Sequence, residues 1–446
     1  MTTRRLLRTG AAALSAGLLA ITALAACGSN DDTGDSGASA GDVAAALEKG
    51  GELTVWAWEP TLDKVVTDFE TAYPNVHVNL VNAGTGNDQY TALLNAISAG
   101  SGIPDVAQIE YYALPQFALT DSLSPLGDFG AADLEGTFSP GPWASVQQNN
   151  AIYGLPTDSG PMALFYNKKV FDEHDIAVPT TWDEYVLAAR KLHAADPDAY
   201  ITSDTGDAGF TTSLIWQAGG RPFQVDGTNV TVNLADEGST RFAQTWQQLI
   251  DDKLLAPVNG WTDAWYKGLG DGTIATLVTG AWMPANFSSG VAGASGDWRV
   301  APMPQWDAGG TVTAENGGSS LAITKASANK ALAYGFMQYA TTGPGVQTRL
   351  AQGAFPATTA DLNSEAFLNT EFEYFGGQKA NEILAESARN VGPGWSYLPF
   401  EVYANSVFND TVGQAYVSGT GLADGLKAWQ ESCIRYGNDQ GFTVNG

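Results

Sequence analysis

Two cysteines, Cys27 and Cys433, are all that 446 residues contain, so no disulfide framework supports the fold and stability must come from packed cores. Histidine is almost as scarce. His77, His174 and His193 lie far apart beside polar stretches, which reads as solvated histidines rather than a zinc centre. Basic residues number 21 against 48 acidic ones, a formal charge of −27, and such a surface repels phosphate backbones and argues against a nucleic-acid partner. Beyond the N-terminus no segment approaches eighteen consecutive apolar residues, which predicts a soluble body. A Gly-x-Ser-x-Gly elbow, a Walker loop and a His-Glu-x-x-His pair are all missing, and Cys433 has no evident partner for nucleophilic work. Asp204-Thr205-Gly206-Asp207 lacks the terminal glutamate of a calcium loop and reads as an ordinary loop. The sequence therefore implies no cofactor and no metal, and it carries no internal repeat.

What is present begins with Arg4, Arg5 and Arg8, followed by an apolar run from Leu14 to Leu24. A charged segment followed by an apolar one of this length is the pattern of an export signal and is too short to span a membrane stably. The run ends at Leu24-Ala25-Ala26-Cys27, which resembles the lipobox of bacterial lipoproteins. That resemblance makes residues 1–26 a lipoprotein signal peptide and Cys27 a lipidated first residue, holding the protein at the outer face of the bacterial cell membrane. Thr3-Arg4-Arg5-Leu6-Leu7-Arg8 also looks like a twin-arginine signal, leaving the choice of export route open. Removing residues 1–26 takes away three arginines and no acid, which leaves 18 basic against 48 acidic residues, a charge of −30. Residues 27–50 are rich in Gly, Ser, Ala and Asp and are predicted to be a disordered tether.

The remaining length, roughly 400 residues, exceeds what one hydrophobic core organises, so two lobes are expected. Leu53 to Trp58 reads as a buried strand, and Leu62, Val65, Val66, Phe69 and Tyr73 fall at helical spacing up to Pro74. Val76–Val81 alternates as a strand; Tyr90, Leu93, Leu94 and Ile97 form a second helical stripe; Asp105–Ile109 is strand-like. This alternation predicts a parallel α/β lobe whose ligand lies beyond the carboxyl ends of the strands. Thr181-Trp182-Asp183-Glu184 is a capping box opening a helix through Leu192, and Asp226-Gly227 centres a hairpin. Extended crossings are expected at residues 156–166 and 315–323. They divide the chain into one discontinuous lobe of 51–157 and 318–370 and another of 158–317 and 371–446.

Several of these segments together resemble the extracellular solute-binding proteins of family 1, the carbohydrate group that includes maltose-binding proteins. The matching pieces include Thr54-Val55-Trp56-Ala57-Trp58, Ile103-Pro104-Asp105-Val106, Gly154-Leu155-Pro156-Thr157-Asp158-Ser159-Gly160-Pro161, Pro179-Thr180-Thr181-Trp182-Asp183-Glu184-Tyr185, Gly280-Ala281-Trp282, Asn316-Gly317-Gly318-Ser319-Ser320 and Gly353-Ala354-Phe355-Pro356-Ala357. The likeness runs from about residue 52 to 440, and it is the order and spacing of the pieces that make it specific. It implies a two-lobed, type II periplasmic-binding-protein-like α/β fold with a hinge and an interlobe cleft. It also implies capture of a neutral oligosaccharide by a monomer, without catalysis, and delivery to the permease subunits of an ABC transporter.

A pyranose offers apolar C–H faces and a rim of hydroxyls, so its site needs aromatic platforms and planar polar side chains. Trp58 and Glu59 follow the first strand, and Glu110 and Tyr111 follow the third, at strand-end positions. Asp158 precedes the first crossing and can accept sugar hydroxyls or make a turn. Trp282 matches the family's stacking tryptophan, with Asn286 as a polar neighbour; Asn316 and the Gly317-Gly318 pair let backbone approach a ligand. Trp395 and Tyr397 lie in a turn-rich loop. Trp216, Trp261 and Trp265 serve equally as further platforms or as helix-face packing. Two other classes stay open on the residues alone. Glu59, Glu110 and Asp158 could furnish the carboxylate pair of a glycoside hydrolase, or surround a cationic ligand.

Overall fold

The computed structural model describes residues 40–446. The expected export signal, Cys27 and most of the expected tether lie outside the described residues. The last part of that tether is a correction: Ala40–Lys49 is a helix, not disordered chain. Its Val43 is buried and Leu47 packs on the same core, against the helix Lys330–Thr341, where a Cβ on Gly335 would touch the Leu47 side chain. The polar composition of the residues before it hides an Ala-rich segment with an apolar stripe of Val43, Ala46 and Leu47 at helical spacing.

Eight strands organise the two sides of the molecule: β1 (Gly51–Trp56), β2 (Val76–Val81), β3 (Val106–Glu110), β4 (Leu155–Pro156), β5 (Met162–Asn167), β6 (Thr276–Gly280), β7 (Trp298–Ala301) and β8 (Ser319–Ile323). The first sheet has the order β2-β1-β3-β8-β4. β1 pairs in parallel with β2 and β3, as the alternating pattern predicts, and the intervening helix Leu62–Ala72 buries Leu62, Val65, Val66 and Phe69. β8 is antiparallel to β3 and β4, because the second crossing brings the chain back from the opposite direction. The second sheet is β6-β5-β7, with both outer strands antiparallel to β5.

Each side has its own interior. Val55, Phe69, Tyr90, Ile109, Phe117, Leu321 and Phe336 centre the first. The second is larger, with one region around Trp182, Tyr185, Trp246 and Trp429 and another around Phe165, Phe287, Trp298 and Phe375. Burying such side chains contributes about 1.5–3 kcal/mol each, which explains how a chain without disulfides holds together. Cys433 is fully buried in the second core. Phe355, Leu362 and Phe367 also pack in the second core, whereas Ala357 belongs to the first.

The local punctuation follows the sequence. Thr181 caps the helix Trp182–Ala195 by accepting from the Glu184 N–H at 3.2 Å, while Glu184 accepts from the Thr180 N–H at 2.7 Å. Phe223–Asp226 and Asn229–Val232 form the hairpin about Asp226-Gly227, and the terminal strand Thr443–Asn445 adds beside it. The two crossings run together. Asn316 N–H donates to Gly160 at 2.7 Å, Met162 N–H to Ala314 at 2.9 Å and Thr157 N–H to Ser319 at 2.9 Å. Gly160 is required there, since a Cβ would lie 2.2 Å from the Asn316 carbonyl oxygen.

Candidate functional site

A cavity of about 1850 Å³ opens between the two sheets. On the first side, the chain leaves β1 through Ala57 and presents Trp58 and Glu59. Gln108 of β3 fixes this turn, its Oε1 accepting from both the Trp58 and Glu59 N–H groups at 3.1 Å. Its Nε2 donates to Ser319 Oγ at 3.1 Å, so one buried amide ties the β1 exit to β8. Trp58 is half-buried, set edge-on to Tyr90 at 6.2 Å, and lines the cavity.

Glu59 also reaches the cavity wall, but its carboxylate is committed to Arg349. The guanidinium Nε lies 3.0 Å from Oε1 and Nη2 lies 2.9 Å from each oxygen. Thr61 donates to the same carboxylate. Glu59 is thus an anchor of the wall and has little capacity left for ligand hydroxyls.

Glu110, at the end of β3, lines the cavity. Its backbone N–H donates to the Tyr90 hydroxyl at 2.8 Å, and that hydroxyl donates back to Oε2 at 3.1 Å. Burial raises its carboxyl to about 7 against the pull of the Tyr90 and Tyr112 hydroxyls. Asp158 accepts the Ser319 N–H at 2.7 Å, and burial together with the nearby Glu59 charge pushes it up to about 7 despite Arg349. Glu315, on the second crossing, is raised to about 8 by burial and by Asp158. Burial thus holds part of the charge off these acids near pH 7, Glu315 most, and leaves them able both to donate and to accept hydrogen bonds.

Trp282 enters from the other side, after β6 and at the start of the helix Met283–Gly290. Its Nε1 donates to the Asn316 carbonyl at 2.8 Å, fixing the indole against the crossing. Gly280 makes room for it: a Cβ there would sit 2.3 Å from Trp282 Nε1. Asn286 lies one turn on, its Nδ2 3.4 Å from the Trp282 carbonyl. Asn316 accepts from Thr279 Oγ1 at 3.3 Å and donates to Ser213 Oγ at 3.4 Å; with Gly317 and Gly318 it lines the cavity floor.

Eight predicted site residues thus share one cavity: Trp58, Glu59, Glu110, Asp158, Trp282, Asn286, Asn316 and Gly318. Four do not line it. Tyr111 is buried, its hydroxyl donating to the Asp158 carbonyl at 2.6 Å, and acts as a strut behind the wall. Trp216 stacks on Trp395 with centroids 5.1 Å and planes 7° apart, and its Nε1 donates to the Gly392 carbonyl at 2.6 Å. This pair and Tyr397 border a small hollow of about 30 Å³, together with Glu315 and Glu401, which adjoins the main cavity through Tyr112, Gly209, Gly317 and Asn405. A loop tryptophan stacked on a helix tryptophan looks the same in sequence as a presented one, and here the buried Trp395 Nε1 is left without a hydrogen-bond partner.

Sequence reasoning missed Gln108, Tyr266, Asp204, Asp207 and Asn405, all of which line the cavity. Asp207 caps the helix Ala208–Gln217, accepting from the Phe210 N–H at 2.6 Å. Asp204 accepts from Trp246 Nε1 and the Tyr416 hydroxyl, each at 2.8 Å. Their tasks are structural, and among the described residues no group of three or more His, Cys, Asp or Glu could hold a metal ion. Trp265 is buried, while Trp261 is exposed at the cavity rim.

Comparison with known proteins places this geometry. Residues 57–347 match the family described as bacterial extracellular solute-binding protein. The fold is similar to that of the ABC transporter associated binding protein of B. animalis subsp. lactis Bl-04, solved in complex with beta-1,6-galactobiose. The TM-score is 0.85 and the identity 48%, over 89% of this chain and 99% of that one. It is also similar to the galacto-N-biose-/lacto-N-biose I-binding protein of Bifidobacterium longum in complex with lacto-N-biose, with a TM-score of 0.77 and 26% identity over 89% and 99% of the two chains. In sequence it is 25% identical to the lactose-binding protein of Rhizobium radiobacter, over 85% of this chain and 92% of that protein.

Proposed function

Because this chain belongs to the bacterial extracellular solute-binding proteins, we propose that it is the ligand-capturing subunit of an ABC importer and that its cavity takes a neutral galactoside of two or more rings. The observation that carries this reading is the joint presence, in one cavity, of indole faces and of carboxyl and carboxamide groups. Trp58 and Trp282 offer apolar platforms; Glu110, Asp158, Asn286 and Asn316 offer hydrogen-bonding groups for hydroxyls. The choice of galactoside is supported by the sugars that the relatives carry in their names and complexes: beta-1,6-galactobiose, lacto-N-biose and lactose.

The cavity of about 1850 Å³ is well above the ~300–1,000 Å³ of a closed small-molecule site. Closure over the sugar accounts for the difference. A ligand touching both sides favours the closed state by its differential affinity, and the paired crossings are the natural hinge. The lobes divide at these crossings, and the return into the second lobe comes ahead of the expected residue 370, since Phe355, Leu362 and Phe367 already pack in the second core while Ala357 packs in the first. Permease and ATPase are separate chains, and the binding protein works as a monomer anchored through Cys27 after removal of residues 1–26, its charge of −30 keeping it apart from nucleic acid. The bound sugar leaves unchanged: Glu59 is neutralised by Arg349, which removes one acid from any hydrolytic pair.

A thermal-shift screen of the purified mature protein against neutral di- and oligosaccharides tests the reading. A shift with beta-1,6-galactobiose and none with maltose is expected; shifts confined to polyamines or basic peptides would replace it with the cationic-ligand reading.

A further inference from the structure

Beside the main cavity lies the hollow of about 30 Å³ that Glu315, Trp395, Tyr397 and Glu401 border. Where about 10–15 Å³ admits one water, such a space takes about two non-hydrogen atoms and no ring. Its walls carry polar groups that no other protein group satisfies. Trp395 Nε1 is a buried donor without an acceptor, and Asn405 Oδ1 is a buried acceptor without a donor. Glu315 is 7% exposed, and among the described residues no hydrogen bond reaches its carboxyl. Burying a donor and acceptors side by side is costly unless a partner enters between them.

The boundary between hollow and cavity is marked by two glycines, Gly209 and Gly317, which line both, as do Tyr112 and Asn405. Gly317 requires its glycine: φ is +75°, and a Cβ would stand 3.1 Å from Trp282 Nε1. Gly209 is required on neither count. It lies in the first turn of the helix Ala208–Gln217, outside the left-handed region, where alanine is the better helix former. A Cβ there would meet only Asp207 Oδ1 at 3.4 Å and Asn316 Nδ2 at 3.7 Å, which are ordinary contacts. What the missing side chain leaves free is the threshold between cavity and hollow.

Room for about two atoms, one waiting donor and several waiting acceptors define the group that fits. A methyl group would leave all of them unpaired. An ammonium would face the Trp395 N–H with like polarity, and an anion would face Glu315 and Glu401. A hydroxyl carried on one carbon accepts from the indole N–H and donates to Asn405 or Glu315. We infer that the hollow is a side pocket of the ligand cavity for the exocyclic hydroxymethyl group of one hexopyranose ring, and that it separates hexosides from pentopyranosides, which lack that group. This rests on the sugar-capture reading. In a 1,6-linked digalactoside only the non-reducing ring keeps its hydroxymethyl free, so that ring is the one the pocket takes.

Calorimetry of the full mature protein with beta-1,6-galactobiose and two analogues tests this. One analogue lacks only the 6-hydroxyl of its non-reducing ring, and the other lacks that whole hydroxymethyl group. Wild type is expected to bind the parent at least about tenfold more tightly than either analogue. Gly209→Ala narrows the threshold and should weaken the parent by about tenfold while leaving the analogue without the hydroxymethyl within about twofold, so that the preference collapses. Its melting temperature should be no lower than that of wild type, since alanine favours the helix. Trp395→Phe keeps a ring against Trp216 and removes only the N–H, and it should shrink the parent's advantage over the 6-deoxy analogue. Wild-type affinities within about twofold for all three ligands, or a preference left intact in both variants, would overturn the side pocket alone. Failure of the wild type to bind any of the three would overturn the capture reading along with it.

Discussion

Arg349 grips Glu59 through three contacts of 2.9–3.0 Å and, through Nη1, donates to the Thr157 carbonyl at 2.7 Å. One guanidinium, 2% exposed on its side chain, thereby joins the exit of β1 to the start of the first crossing. A buried pair of this kind stabilises less than it costs to break, because removing one partner strands the other's charge.

Arg349→Ala is accordingly expected to destabilise the protein by about 3–5 kcal/mol, read as a fall in chemical-denaturation midpoint. Glu59→Gln should cost less, since the amide still accepts from Arg349. Neither outcome would stand if Glu59→Gln abolished sugar binding while leaving stability untouched, which would return Glu59 to direct ligand contact.

Trp282 is expected to contribute affinity and not stability. Trp282→Ala should weaken the best sugar by at least about tenfold, the scale of one buried aromatic contact, with a native-like circular dichroism spectrum. An affinity within twofold of wild type would remove Trp282 from the platform.

The acids around the crossings make stability depend on pH. Glu110 and Asp158 are raised to about 7 and Glu315 to about 8, in each case chiefly by burial, so the folded protein holds protons that the unfolded chain releases near pH 4. The contribution is fully present below the unfolded values and is lost as pH rises through the folded ones. Melting temperature should therefore fall between about pH 5 and pH 8. Glu315→Gln should flatten the upper part of that fall, because among the described residues no hydrogen bond reaches the Glu315 carboxyl. A profile that rises over this window would contradict the burial of these groups in neutral form.

The helix Ala40–Lys49 is expected to be part of the folded body. Removing residues through Lys49 exposes the surface that Val43 and Leu47 cover and should lower the melting temperature by several degrees, roughly what 1–2 kcal/mol does to a large domain. An unchanged melting temperature would restore the tether reading for this segment.

The fold was largely legible in the sequence where local pattern and tertiary role agree. The strand β1, the stripe Leu62–Phe69 and the cap at Thr181 each combine a period with a terminator, and each stands where the pattern put it. The direction of β8 was not legible, since an all-apolar strand pairs either way and only the path of the crossing decides. The helix at residues 40–49 was hidden because this short Ala-rich stretch directly follows a Gly-, Ser- and Asp-rich one and was read together with it.

The lining of the candidate site was legible at strand ends and beside glycines, where Trp58, Glu110 and Trp282 reach one cavity by geometry common to α/β folds. It was not legible where two aromatics pack on each other: Trp216 and Trp395 stack at 7°, a relationship between residues 179 apart that no local pattern carries. Gln108 escaped notice for a related reason. Its importance lies in the two N–H groups that it holds fifty residues away, and a polar residue inside an apolar strand names no partner.

The most direct test of sugar capture is calorimetric titration of the mature protein with beta-1,6-galactobiose at low and high salt, followed by chromatography of the recovered ligand. One site per monomer, an affinity unchanged by salt and an intact disaccharide are the predicted results, since a neutral ligand feels little screening. Binding that weakens steeply with salt, or recovery of free galactose, would contradict the account.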